Sequence, residues 1–207
     1  MYQSFSPNML KTYEKCPRKF YFRYIKNLSM PVNDEIFELG KNIHALASYY
    51  LRKENISKME QALNDRERAL WEYLKGLEYF SFETVATEYN LSVKIGDYFY
   101  GGRLDALVKE NDKYYILDYK TGSAPKNAKY DYQTMIYLLS VRAFFNTEKV
   151  CFVYLDLKNK EEVKIELTPE LIMDYEKRLL DITNGINADS YEKKYKDCKC
   201  EYNIICY

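Results

Sequence analysis

Apolar positions in the first third of the chain recur every three or four residues, the spacing of one helix face. Ser6 before Pro7 reads as an N-cap with proline at the first helical position. That helix runs through Leu10, Tyr13, Phe20 and Tyr21, and Pro17 is expected to kink or break it. Asn33-Asp34 opens a second helix with Ile36, Leu39, Ile43, Leu46 and Tyr50 on its apolar face. A third covers roughly 57–80, burying Met59, Leu63, Leu70, Trp71 and Leu74.

The period then changes. Residues 86–95, 98–109, 113–120 and 149–157 are rich in Tyr, Val, Ile and Phe and alternate, or run apolar, as strands do. Gly96-Asp97 and Asn111-Asp112 are turn signals, so the first three strands form a meander. A helix over 128–145 separates the third and fourth strands, and 161–167 reads as a short edge strand. Thr168-Pro169 caps a last helix running to about Gly185, and a cysteine-bearing tail follows. Helices precede, interrupt and follow the strands, which predicts an α/β or α+β class with a central mixed sheet flanked by helices. We read 1–207 as one domain: a helical region over 1–80, a sheet-and-helix region over 86–167, and a last helix and tail over 168–207.

Composition narrows the function classes. Hydrophobic residues make up 47% of the 207, enough for a sizeable core. Lys+Arg and Asp+Glu balance at 31 each, so there is no global basic field, and a nucleic-acid partner would need a local basic groove. No apolar run approaches the roughly 20 residues of a membrane span, and "MYQSFSPNML" lacks the pattern of a signal peptide. A cytoplasmic location is the expectation. There are 23 tyrosines and 10 phenylalanines; most read as core or half-buried. Five cysteines in such a chain point to metal rather than to disulfides.

Candidate chemistry gathers around "YILDYKTG", residues 115–122. Residues i and i+2 of a strand share a face, so Asp118 and Lys120 point the same way. The preceding strand, "YFYGGRLDALV", turns Leu104, Ala106 and Val108 to the core and leaves Asp105 on the other side with Arg103. A hairpin would bring Asp105 and Asp118 within reach of one ion, and two carboxylates with open positions suit magnesium or manganese. Such an ion acidifies a bound water and neutralises charge on a phosphate, and a neighbouring lysine stabilises the hydroxide. A salt-bridged pair at a strand end accounts for the same residues. His44, in "ELGKNIHALA", shares a helix row with Gly40 and Ala47; alone it reads as structural. Glu88 lies in the first strand, and Gln133 and Tyr137 share a helix face.

In order, "GKNIH", Glu88, "GGRLDALV", "ILDYKTG" and "QTMIY" resemble the PD-(D/E)XK nuclease superfamily. The narrower resemblance is to its RecB-type branch, which includes the nuclease domains of recombination helicase-nucleases and small nucleases linked to CRISPR spacer acquisition. The opening "SPNMLKTYEKCPRKFYFRYI" resembles the same branch, so the likeness spans about residue 4 to the C-terminus. It implies a restriction-endonuclease-like core behind the N-terminal helices. It makes His44, Asp105, Asp118 and the backbone carbonyl of Tyr119 metal ligands, with Lys120 assisting the attacking water. Glu88 would support the site directly or through water. Gln133, Tyr137 and Arg103 would contact DNA or buttress the site. The second carboxylate is an aspartate where glutamate is commoner. The implied cofactor is Mn2+ or Mg2+, and an imidazole ligand favours manganese.

The resemblance also gathers Cys16, Cys198, Cys200 and Cys206, one early and three late, around a [4Fe–4S] cluster, with zinc as the alternative. The family's usual tail is C-x2-C-x5-C, and this chain has C-x-C-x5-C. Cys151 reads as a small buried hydrophobe. The implied function is a metal-dependent deoxyribonuclease, a single-strand exonuclease of recombination, repair or CRISPR adaptation. Its substrate would be DNA, single-stranded or with a free end, contacted through Arg18, Lys19, Arg103 and Lys126. A CRISPR integrase or a helicase would be its partner, since the chain carries no nucleotide-binding G-x-x-x-x-G-K-[ST] loop. The alternative is a DNA-binding or assembly module with secondary or no nuclease activity.

Overall fold

The computed structural model describes residues 2–29, 35–188, 190–195 and 200–206, without the side chains of 35–37. The chain opens with a two-residue strand, β1 (Ser4–Phe5), and a helix, α1 (Pro7–Lys15), capped by the Ser6 side chain. Cys16 ends α1 in an extended conformation, as a residue before proline prefers, so the break expected at Pro17 falls one residue early. Beyond it lie α2 (Pro17–Phe20) and a π-helical turn, Tyr21–Ile25. The opening of the second helix at Asn33-Asp34 lies outside the described residues; its described part is α3 (Glu35–Leu51).

The single helix expected over 57–80 is two, α4 (Ser57–Ala62) and α5 (Asp65–Lys75). Extended Leu63 interrupts it, and Asn64 restarts it through a reciprocal capping box with Glu67. The strands are β2 (Glu83–Ile95), β3 (Tyr98–Glu110) and β4 (Lys113–Lys120). Next come α6 (Tyr132–Phe145), with Asp131 as N-cap, then β5 (Val150–Asp156), β6 (Glu161–Glu166) and α7 (Pro169–Asn187).

β2, β3 and β4 are antiparallel neighbours, β5 joins β4 in parallel, and β6 closes that edge antiparallel to β5. β2 flanks β3 along one side; β1 and β4 share the other, end to end. This is the mixed, helix-flanked sheet that the alternation of patterns predicts.

Two cores sandwich the sheet. On one face Leu10, Phe20, Ile136, Tyr137 and Leu179 from α1, α2, α6 and α7 pack on Leu91, Ile95, Tyr100, Leu104 and Ile116. On the other, Ile43, Leu46, Trp71 and Leu74 from α3 and α5 pack on Ala106, Val108, Leu117 and Val153. Leu104 therefore belongs to one core and Ala106 and Val108 to the other, against the expectation that all three share a face. The cause lies across the ladder. Glu88, opposite Asp105, has φ +49°, a left-handed conformation that breaks the alternation and rotates the strands there. The switch occurs at the position that carries the carboxylates.

Candidate active site

Four elements converge on that switch. α3 supplies His44, β2 Glu88, β3 Asp105, and the end of β4 Asp118, Tyr119 and Lys120. One ligand atom each from His44, Glu88 and Asp105 lies within 4.8 Å of the others. His44 Nδ1 faces Asp105 Oδ1 at 3.3 Å, and Nε2 lies 3.0 Å from the carbonyl oxygen of Tyr119. The Tyr119 amide donates to Asp105 Oδ2 at 3.0 Å, which ties β3 to β4 where their ladder ends. Arg103 Nε sits 3.0 Å from Glu88 Oε2 at the solvent side.

Asp118, Lys120 and Gln133 form a second group on the α6 side. Gln133 Nε2 donates to Asp118 Oδ1 at 2.6 Å, and its Oε1 lies 3.5 Å from Lys120 Nζ. Lys120 Nζ pairs with the buried Asp118 Oδ2 at 2.6 Å. Tyr137, one turn after Gln133, donates its hydroxyl to the Arg103 carbonyl at 2.9 Å. Asp118 and Lys120 thus pair as a salt bridge, the second sequence reading, while also adjoining the carboxylate cluster.

The charges are coupled. Burial pushes the Asp118 carboxyl up to about 6, and the Asp105 charge adds to this against the pull of Lys120 and His44. Burial alone would lower the His44 imidazolium, but the hydrogen bond and charge of Asp105, the Tyr119 carbonyl and the Asp118 charge raise its pKa overall. A ring facing a carbonyl with one nitrogen and a carboxylate with the other is best served when both nitrogens carry protons. The proton there stands where a cation would balance the same oxygens.

The donor set fits a hard divalent ion: the Glu88 and Asp105 carboxylates, the Tyr119 carbonyl and the His44 imidazole, with the buried Asp118 carboxylate beside them. His44 turns from a structural reading to a member of this cluster because α3 crosses the face switch.

Two supporting residues escape motif reading. At Gly102 a Cβ would stand 2.7 Å from the Tyr137 hydroxyl, so glycine lets that ring reach the Arg103 carbonyl. Tandem glycines inside a strand are the signal for such a close approach. Buried Asp156, at the end of β5, accepts from the Ala124 amide and from Asn159, fixing the loop after Lys120; an aspartate closing a buried apolar run was its signal. Gly40, by contrast, meets only the Thr121 side chain at an ordinary 3.5 Å.

Cys198 lies outside the described residues. Cys16 and Cys206 are buried, Cys200 is half-buried, and none of the three forms a disulfide. Their segments are joined by a Lys19–Glu201 ion pair at 2.8 Å and by the Tyr202 hydroxyl donating to the Leu28 carbonyl at 2.7 Å. Cys151 is fully buried in the sheet, as expected.

A family model described as the PD-(D/E)XK nuclease superfamily matches residues 4–207. A CRISPR-associated exonuclease Cas4 from Francisella tularensis subsp. novicida is 24% identical over 204 residues, covering 96% of this chain and 91% of that protein. A crystal structure of a protein titled an exonuclease, from Eubacterium rectale, superposes with a TM-score of 0.61 at 11% identity. The match covers 96% of this chain and 86% of that one, and it speaks to the fold.

Proposed function

Because this chain belongs to the PD-(D/E)XK nuclease superfamily, we propose that its carboxylate cluster is a divalent-metal site that cleaves single-stranded DNA from an end. The observation that carries the reading is the convergence of His44, Glu88 and Asp105 within 4.8 Å, beside the Tyr119 carbonyl. Similarity to an exonuclease over nearly the whole chain supports the exonucleolytic part.

His44, Asp105, Asp118 and the Tyr119 carbonyl would hold Mn2+ or Mg2+, with Glu88 completing the set. When bound, the ion acidifies a water and neutralises charge on the scissile phosphate. Lys120 Nζ, held by Asp118 and Gln133, would donate a hydrogen bond to the attacking oxygen and stabilise negative charge as it develops. Gln133 keeps the Asp118 carboxylate oriented through Oδ1, and Tyr137 ties α6 to β3. Arg103, with its side chain 65% exposed beside Glu88, meets the phosphates.

We propose further that Cys16, Cys198, Cys200 and Cys206 hold a [4Fe–4S] cluster that pins the chain ends. The docking of the 200–206 segment on the helices around Cys16 supports this. Anaerobically purified protein should be brown, with about four irons per chain; zinc in place of iron would select the alternative metal. Action in the cytoplasm beside a CRISPR integrase or a helicase belongs to the same reading. No helix among the described residues is long and apolar enough to cross a membrane.

The test is a time course on end-labelled single- and double-stranded DNA with manganese and with magnesium. Wild type should release short products from single strands, faster with manganese, and Asp118→Ala should release none. A wild type that binds DNA but cuts none with either ion would instead make the chain a binding or assembly module.

A further inference from the structure

The helices of the second core cover only part of their face of the sheet. α3, α4 and α5 lie over the later half of β3 and over β4 and β5. On the outer half of the β2–β3 hairpin the opposite face packs on α6 and α7 through Leu91, Ile95 and Tyr100. The residues alternating with these point the other way, and among the described residues no helix covers them. They form three cross-strand rows leading away from the carboxylate cluster: Asn90 with Arg103, Ser92 with Gly101, and Lys94 with Phe99. Successive rows are about 7 Å apart, two residues along a strand.

The chemistry of the rows is graded. The inner row carries Arg103, already against Glu88 of the metal cluster. The middle row is nearly flat, and a Cβ at Gly101 would stand 2.6 Å from the Leu91 carbonyl and the Ser92 side chain. The outer row presents Phe99, 46% exposed, with Lys94 Nζ 5.9 Å from its ring centre. The rows themselves hold two cations and no carboxylate; of the hairpin's acidic residues, Asp97 lies in the turn beyond them, and Glu88, paired with Arg103, lies at the inner end with the carboxylate cluster.

A bare sheet face with an aromatic platform, cations beside it and no carboxylate among its rows suits a strand whose bases stack while its phosphates are neutralised. We propose that this ledge is a docking surface for single-stranded DNA, with one base on Phe99 and the backbone running past Lys94 and Arg103 to the metal cluster. The proposal rests on the nuclease reading and adds the path of the substrate to it. Duplex DNA fits the ledge poorly, because its bases are already stacked and paired.

The experiment measures binding of a labelled oligothymidylate of about 20 nucleotides by fluorescence anisotropy, in EDTA so that nothing is cut. Phe99→Ala should weaken binding about 5- to 150-fold, the range for loss of one stacked base. Phe99→Tyr should retain it, and Lys94→Ala should flatten the salt dependence by about one phosphate contact. Phe144→Ala, at a still more exposed phenylalanine on the C-terminal turn of α6, should bind like wild type. Wild-type affinity in Phe99→Ala, or an equal loss in Phe144→Ala, would overturn the ledge, as would a wild type that does not bind the probe. Manganese-dependent cleavage of the same probe separates the two ideas. Cleavage by wild type with Phe99→Ala unimpaired leaves the nuclease reading standing without the ledge. Binding that depends on Phe99 without any cleavage leaves the ledge without the nuclease.

Discussion

Replacing Asp118 with asparagine should make the metal-free protein more stable at neutral pH. The carboxylate is 2% exposed, and this burial and the like charge of Asp105 nearby outweigh the pull of Lys120 and His44. These raise its pKa from 3.8 to about 6, which corresponds to about 3 kcal/mol, at about 1.4 kcal/mol for each pKa unit. The folded value lies above the unfolded one. The group's stabilising contribution is therefore complete below pH 3.8 and is lost as pH rises through about 6. The substituted amide does not titrate, and its oxygen can still accept from Gln133. Urea denaturation in EDTA should therefore show Asp118→Asn gaining on wild type by about 1 kcal/mol between about pH 5 and pH 8, out of about 3 kcal/mol in full. Added manganese should reverse the order, stabilising wild type at about pH 8 and leaving the variant unchanged. If the two stabilities run parallel across that range, the charged carboxylate is not costly there, and the argument that an ion relieves it fails.

His44, whose pKa is raised, also loses stabilisation as pH rises, so manganese binding should release protons near neutrality; calorimetry in buffers of different ionisation enthalpy measures this, and His44→Gln should reduce it to the share released by Asp118. The Tyr119 hydroxyl is buried without a hydrogen-bond partner, so Tyr119→Phe should raise stability in urea by about 1 kcal/mol with cleavage nearly unchanged. Gly102→Ala would press a methyl group against the Tyr137 hydroxyl, costing about 1–3 kcal/mol in the same assay and slowing cleavage by displacing α6 from the site. Lys120→Ala should lower kcat by about 100-fold or more while single-strand binding in EDTA stays within a few-fold of wild type.

The parts of the site legible in sequence were those set by local rules. Asp118 and Lys120 share a face because strand side chains alternate, and Gln133 and Tyr137 share one because they lie a helical turn apart. Each follows from its own segment, and the strand and helix patterns that carry them give the fold class as well. Leu104 and Ala106 were misplaced on one face because the break in alternation arises in a neighbouring strand, at Glu88. Glutamate rarely adopts positive φ, so the residue type gives no warning. The division of the third helix was visible only as Asn64 three residues before Glu67, a capping box inside an apolar pattern that otherwise continues. His44 is a candidate ligand in the sequence only through the family resemblance; its own helix reads as structural, because the tertiary crossing that brings it to Asp105 is encoded by no spacing within that helix.

The joining of the chain ends bears on how the protein folds and opens. Tyr2 exchanges hydrogen bonds with Asn187, 185 positions away, and the Tyr13 hydroxyl donates to the Gly185 carbonyl across 172. The β2–β3–β4 meander, in contrast, is built from neighbouring segments joined by two-residue turns. Contacts of such unequal range form in order, the meander early and the terminal clasp late, because the long loop must be closed before its contacts contribute. In reverse, the clasp is the cheapest unit to part, and hydrogen exchange should find it opening well below the global unfolding free energy. Cys16, Cys200 and Cys206 all lie in that unit, while the carboxylate cluster lies in the meander and its helices. A metal held by those thiols, as proposed, would then exchange by local opening, with the carboxylate cluster still assembled.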